Sequence, residues 1–250
     1  MTNDPLPSPS LPPYALLVEQ AEWLAPARSR LLRRVGIAHR KHILDLGAGY
    51  GIISAELSRR SSVIVFALDS IYKSLHEISN SSHHNISPVN ADGRLLPFPD
   101  NTFDLIFCQC SLMWINPLDQ VIQEICRTVQ PGGVLVALEP DYGGLIEYPP
   151  SLDTRHLWLS ALETAEADPF TGRKLSSLLA RYNMTTRIIL LDELRPPSPT
   201  RFDFLRGLPL TAEQRQHLTK IETLAASIPI EEQVAHLPFF LITAEKRKSE

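Results

Sequence analysis

Three glycines at every second position, Gly47, Gly49 and Gly51, follow an apolar run that ends in an acid, "HILDLGAGYG" at 42–51. Glycine has no Cβ and tolerates positive φ, so such a loop lets a ligand lie against bare backbone. A helix starting near Gly51 would add free N–H groups. Three nucleotide chemistries compete for this loop. A phosphate-cradling G-x-x-x-x-G-K-[ST] loop needs a Lys followed by Ser or Thr, and no such pair follows these glycines. A dinucleotide G-x-G-x-x-G loop puts its third glycine where Ile52 stands, which weakens a nicotinamide cofactor. That reading keeps some support, because the acid it requires about 20 residues on is present as Asp69. Another nucleoside is the third possibility.

Asp69 ends a second apolar run. A carboxylate only accepts, and the two hydroxyls of a ribose supply matching donors, so the position favours ribose binding. Its competing role is to cap the following helix, "DSIYKSLHEI". Further candidates cluster after later apolar runs. Glu139, Asp141 and Tyr142 in "EPDYGG" could touch a substrate, although Asp141 and the two glycines also read as a chain reversal. Met113 and Trp114 could line an apolar pocket or pack in the core. His156 and Trp158 sit on a later helix, where a lone histidine is more often structural. His83 and His84 lie in a polar loop without a third ligand, and Cys108 and Cys110 have no partners at metal-site spacing. No metal site is expected, and no residue stands out as a general base.

The elements that must position these groups alternate in type. Apolar strand runs at 42–46, 63–68, 104–109 and 133–139, with a shorter one at 85–91, are separated by amphipathic helices near 51–60, 71–79 and 117–129. Continuous apolar strands between helices predict a parallel sheet covered on both faces, the doubly wound α/β plan. Two more strands follow at 185–194 and 239–246, with helices at about 153–167, within 168–183 and near 211–227. The stretch "YALLVEQAEWLAPARSRLLRRVG" predicts two helices broken at Pro26 and ended at Gly36. The long interval at about 192–236 reads as an inserted cap over a site. The expected organisation is a disordered Pro-rich arm at 1–13 and one domain at 14–250, made of N-terminal helices at 14–38, a core at 40–140 and a C-terminal part at 141–250.

Bulk properties exclude several classes. The net charge is −4 and the pI about 6.1, with no basic stripe, so a nucleic-acid partner is not expected. Three cysteines do not make a disulfide framework. No signal segment or membrane span is apparent, and a cytoplasmic location is the default.

Four motifs in register then become specific: "ILDLGAGYG", "ALD", "NADGRLLPFPDNTFDLIF" and "EICRTVQPGGVLVALEP". Over about residues 40–140 they resemble the class I S-adenosylmethionine-dependent methyltransferases, in particular the small-molecule group of the ubiquinone and menaquinone methylases. The resemblance implies a Rossmann-like doubly wound sheet of about seven strands with the last antiparallel, and S-adenosylmethionine as cofactor. By position it implies that Asp45, Gly47, Ala48, Gly49 and Gly51 form the loop under the methionine part and that Asp69 holds the ribose. It further implies that Asp92, with Gly93, meets the adenine edge, and that Gln109 lies near the methionine amino group or the methyl. Ser70 departs from the pattern: the family usually places an apolar residue there to pack on adenine, a role Ile71 could take.

The expected function is methyl transfer to a small, partly hydrophobic acceptor, with Met113, Trp114, Asp141 and Tyr142 as candidate acceptor contacts. The acceptor atom and the oligomeric state are not legible. Two alternatives remain: a non-catalytic binding or regulatory protein on the same fold, and a nicotinamide oxidoreductase.

Overall fold

The computed structural model describes residues 11–79, 85–191, 194, 196–198 and 200–248. Nearly all of the expected Pro-rich arm, as well as His83 and His84, lies outside the described residues.

Among the described residues there are nine strands: β1 (Ile43–Leu46), β2 (Val65–Asp69), β3 (Ile86–Asn90), β4 (Phe103–Gln109), β5 (Val129–Pro140), β6 (Ile146–Tyr148), β7 (Met184–Leu190), β8 (Val234–His236) and β9 (Phe239–Lys246). The helices of four residues or more are α1 (Tyr14–Arg34), α2 (Ile52–Ser61), α3 (Tyr72–Ser79), α4 (Leu118–Thr128), α5 (Arg155–Thr164), α6 (Thr171–Ala180), α7 (Asp203–Arg206) and α8 (Ala212–Ser227). Seven strands form one sheet in the order β3-β2-β1-β4-β5-β9-β7. Its pairs are parallel except those of β9, which runs antiparallel to both β5 and β7. This is the expected Rossmann-like sheet with its last strand antiparallel. The strand order reverses between β1 and β4, where open α/β sheets bind their ligands.

Side chains alternate across each strand. On one face Ile106, Cys108, Leu135 and Ala137 pack against Val121, Ile122 and Ile125 of α4 and Leu175 and Leu179 of α6. On the other, Leu105, Phe107, Val136 and Leu138 pack against Leu24, Ala27, Leu31 and Leu32 of α1 and Leu57 of α2. By that alternation Asp45 and Gln109 belong to the α1 face, and Glu139 to the α4 face.

The predicted break at Pro26 is not there. α1 is one helix of 21 residues that carries Pro26 inside it. Leu24 before the proline and Leu31 and Leu32 after it are 2% exposed or less. Each is worth roughly 1.5–3 kcal/mol when buried, and together they outweigh the ~3 kcal/mol cost of an interior proline. Arg28 also donates from Nη1 to the Ala21 carbonyl at 3.0 Å, one turn before the proline. Gly36 ends the segment in the left-handed region, as expected.

A third apolar cluster lies off the sheet. Met113, Leu145, Leu152, Leu157, Trp158, Phe202, Leu205, Leu210, Leu218 and Ile221 join α5, α7 and α8 to the loop after β4. Strands β6 and β8 pair antiparallel and tie the segment after β5 to the segment before β9. Neither short strand was legible in the sequence. No described helix is long and apolar enough to cross a membrane.

Candidate active site

The glycine loop leaves β1 at the switch point. Gly47, Gly49 and Gly51 all have positive φ, at 76°, 52° and 76°. The crowding around them differs. A Cβ on Gly47 would stand 2.3 Å from Ser111 Cβ, and one on Gly51 would stand 2.7 Å from Ile78 Cγ1. A Cβ on Gly49 would meet only Leu11 Cδ1, at 3.5 Å. Gly47 and Gly51 therefore let the loop after β4 and helix α3 close on the loop, while Gly49 leaves its outer face open. Ala48 is buried between them, against Ala67, Leu75 and Ile78.

Two buried carboxylates lie on the strands beside this loop. Asp69 accepts from Gly49 N–H through Oδ2 at 2.8 Å and from Ile71 N–H through Oδ1 at 2.9 Å. The second bond is the local turn contact; the first fixes the loop. An ionised carboxylate has about four acceptor sites, so two remain for a ligand. Asp45 is 2% exposed and accepts from Ser54 Oγ at 2.5 Å. Burial pushes its carboxyl up to about 7; the Ser54 hydroxyl opposes this, the Asp69 charge adds to it and Arg28 opposes it.

Arg28 reaches the site from α1. Its guanidinium is buried and donates to Glu56 Oε2 from Nε at 2.9 Å and from Nη2 at 2.5 Å, and to Gln109 Oε1 from Nη1 at 3.0 Å. Because an arginine can only donate, Gln109 must present its oxygen to Arg28 and its amide NH2 elsewhere. The free end of Gln109 is thus a double donor. Such a group suits a carboxylate better than the amino group or methyl to which sequence position assigned it. Arg28 carried no sequence signal: it sits at an ordinary helical position and becomes part of the site only when α1 docks on the sheet.

The β4 loop is held by Glu139, which is fully buried at the end of β5. Its Oε1 accepts from Ser111 N–H and Leu112 N–H, both at 3.1 Å, while Oε2 has no partner. Burial raises its carboxyl to about 7 against the lowering effect of the backbone donors from Leu112, Ser111 and Met113. Ser111 Oγ in turn donates to the Leu46 carbonyl at 2.9 Å, joining the β4 loop to the glycine loop.

The region around Asp92 is more open. Asp92 is half-exposed and paired with Arg94, Nη2 to Oδ2 at 2.6 Å. The hydrogen bonds of the Arg94 side chain hold its carboxyl below the usual range. Gly93 packs so closely that a Cβ would stand 3.1 Å from Ile115 Cδ1. Ser70 is exposed and Ile71 half-buried; Asn90 Nδ2 donates to the carbonyls of both Asp69 and Ser70 at 3.0 Å.

A cavity of about 280 Å³ opens between α1, the chain after β5, and the segment at 196–204. Trp23, Tyr142, Leu145, Trp158 and Phe204 supply apolar walls, and Glu19, Glu147, Arg201 and His236 supply polar ones. Tyr142 packs on Trp158 with ring centroids 4.6 Å apart. Burial raises its phenol, as do the neighbouring Cys110 and Glu139, which ties the cavity to the end of β4. Of the four residues expected to contact an acceptor, Tyr142 lines this cavity. Met113 is buried in the third cluster, Trp114 is 47% exposed, and Asp141 is buried and paired with Arg173, Nη2 to Oδ2 at 2.6 Å. Sequence reasoning missed Glu19, Arg201 and His236, which come from parts of the chain nearly 220 residues apart at their extremes.

Residues 44–137 match the family model of a methyltransferase domain. With the seven-stranded order and the glycine loop at its switch point, that match makes residues 44–137 similar to the class I S-adenosylmethionine-dependent methyltransferases. It is 32% identical over 178 residues to the mitochondrial arginine-hydroxylase NDUFAF5 of Rattus norvegicus, covering 66% of this chain and 48% of the relative. It is 36% identical over 117 residues to the demethylmenaquinone methyltransferase of Corynebacterium kroppenstedtii, covering 47% and 48%. The chain thus spans about half the length of the curated relatives it matches. The crystal structure of the YcgJ protein of Bacillus subtilis shares the fold at a TM-score of 0.64 and 14% identity, over 89% of this chain and all of that one.

Proposed function

We propose that this protein moves a methyl group from S-adenosylmethionine to a small, partly hydrophobic acceptor by in-line displacement. The observation that carries this reading is the pairing of two sites. A cradle formed by Gly49, Asp69 and the amide of Gln109 lies at the ends of β1, β2 and β4, and Tyr142 of the cavity neighbours Cys110, the residue after Gln109. In this assignment Asp69 accepts from the ribose hydroxyls and Gln109 donates to the methionine carboxylate. Asp92 accepts from the adenine amine with the lone pairs Arg94 leaves free, and Ile71 packs on the ring.

The cofactor brings an already activated methyl as a sulfonium. The work left to the chain is orientation and exclusion of water. Asp69 and Glu139 brace the glycine loop and the β4 loop. The aromatic walls hold the acceptor against the open end of the cradle. His236 lines the cavity, and desolvation lowers its pKa, so it enters neutral and able to accept a proton from a phenol or enol. The elements between β7 and β9, with α1, serve as a cap over the acceptor. Three unpaired cysteines fit a reducing, cytoplasmic setting.

Thermal shift with S-adenosylmethionine, S-adenosylhomocysteine and NAD(H) tests the cofactor. The expected result is a rise with the first two and none with the nicotinamides, since a ligand of the native state stabilises by mass action. A rise with NAD(H) alone would return the oxidoreductase reading. Binding without turnover across a broad acceptor screen would favour the non-catalytic one.

A further inference from the structure

Arg201 stands out among the cavity-lining groups. Its Nε is buried without a hydrogen-bond partner. Its Nη2 donates to Gln233 Oε1 at 2.6 Å, and its guanidinium stacks on the Phe202 ring, with Cζ 4.4 Å from the centroid. It makes no ion pair among the described residues. A buried donor left unmade costs about 1–3 kcal/mol, so the guanidinium that lines the cavity is short of acceptors.

The other polar groups narrow what that acceptor can be. Glu19 already accepts from Ser198 Oγ at 2.7 Å and Thr200 Oγ1 at 2.5 Å. Glu147 accepts from Thr154 N–H at 2.6 Å and from its Oγ1 at 2.8 Å. The acids are therefore served by protein donors, whereas Arg201 Nε is a donor without a hydrogen-bond partner among the described residues. A cationic acceptor would meet the like charge of Arg201, while the cavity's carboxylates are already engaged, Glu147 with Thr154 and the Arg201 charge and Glu19 with Ser198 and Thr200. A dianion would face two carboxylates for one guanidinium. A monoanion with a flat apolar body satisfies both the donors and the aromatic walls.

We propose that the methyl acceptor is a small aromatic carboxylic acid whose carboxylate is bound by Arg201, with its ring held between Trp23, Tyr142 and Trp158. This rests on the assignment of the cavity as the acceptor site. It makes Arg201 a specificity-determining residue, distinct from the cofactor cradle.

Calorimetric titrations on protein saturated with S-adenosylhomocysteine test it. The probes are 4-hydroxybenzoate, its neutral amide and 4-hydroxybenzylamine. The acid should bind about tenfold tighter than either, or about 1.4 kcal/mol. In Arg201→Gln the preference for the acid over the amide should collapse, while Arg201→Lys keeps part of it. Unchanged S-adenosylhomocysteine affinity in both variants shows that they are folded. The proposal is overturned if the amide or the amine binds as well as the acid. It is equally overturned if Arg201→Gln keeps the preference, or if the acid fails to saturate at about 10 mM, a Kd too weak for a selective site. If S-adenosylhomocysteine itself does not bind, the methyltransferase assignment fails, and the same ratios measured without it still decide the role of Arg201.

Discussion

The proposed cofactor cradle and the proposed acceptor cavity are built in opposite ways. The cradle is made mainly of backbone: glycine N–H groups, strand ends and two buried carboxylates, most of it from residues 45–111. The cavity is made of long side chains from α1, the chain after β5, the segment at 196–204 and β8. Backbone placed by a sheet tolerates little change. A wall of side chains can be recut residue by residue without disturbing the sheet. That difference suits a fold in which one cofactor meets many acceptors.

The largest expected effect lies in the cradle. Gly47→Ala combines a disfavoured positive φ with a Cβ driven into Ser111, and should cost about 2–5 kcal/mol in urea unfolding. The same change at Gly49 meets no backbone or rigid neighbour and should spare more stability while weakening S-adenosylhomocysteine binding. Equal stability losses at both positions would erase the distinction drawn between these glycines.

Next comes the carboxylate under the β4 loop. Glu139 titrates at about 7 when folded, against the ordinary 4.5. The native state then holds more protons than the unfolded state between these values, so stability falls as pH rises through that window, by up to about 3 kcal/mol. Denaturant midpoints at pH 5 and pH 8 should differ less in Glu139→Gln than in the parent. An unchanged pH dependence would mean that the carboxyl is not the titrating group.

Smaller effects separate ligand contacts from support. Asp69→Asn should weaken S-adenosylhomocysteine about 10–100-fold, the worth of one or two charge-assisted hydrogen bonds. Gln109→Ala should cost about tenfold, and Arg28→Lys should reproduce part of that loss by freeing the Gln109 amide to rotate. An Arg28 variant with unaltered affinity would argue that Gln109 needs no support from α1. Smallest of all, Tyr142→Phe should raise the acceptor KM about threefold and leave cofactor affinity untouched. A change in cofactor affinity there would show that Tyr142 serves both halves of the proposed site.

Legibility followed the same divide. The strands β1 to β5, the helices between them and the loop at 47–51 could be read because each rests on local pattern: apolar runs, helical period and glycine spacing. Pro26 misled because local backbone cost was weighed without the burial of Leu24, Leu31 and Leu32 on either side of it. Arg28, Arg201 and His236 gave no signal. An arginine on a helix, or a histidine in a short strand, looks the same whether it faces water or a cavity.

By itself the sequence determined the sheet, the glycine loop at its switch point and the carboxylate that ends β2. Those features depend on neighbours within a few residues or on one repeating βα unit. Tertiary structure alone decided which way the Gln109 amide points, why each of the three glycines is needed, and which side chains wall the acceptor cavity. All three are settled by contacts between segments far apart in the chain, and no local pattern encodes such contacts.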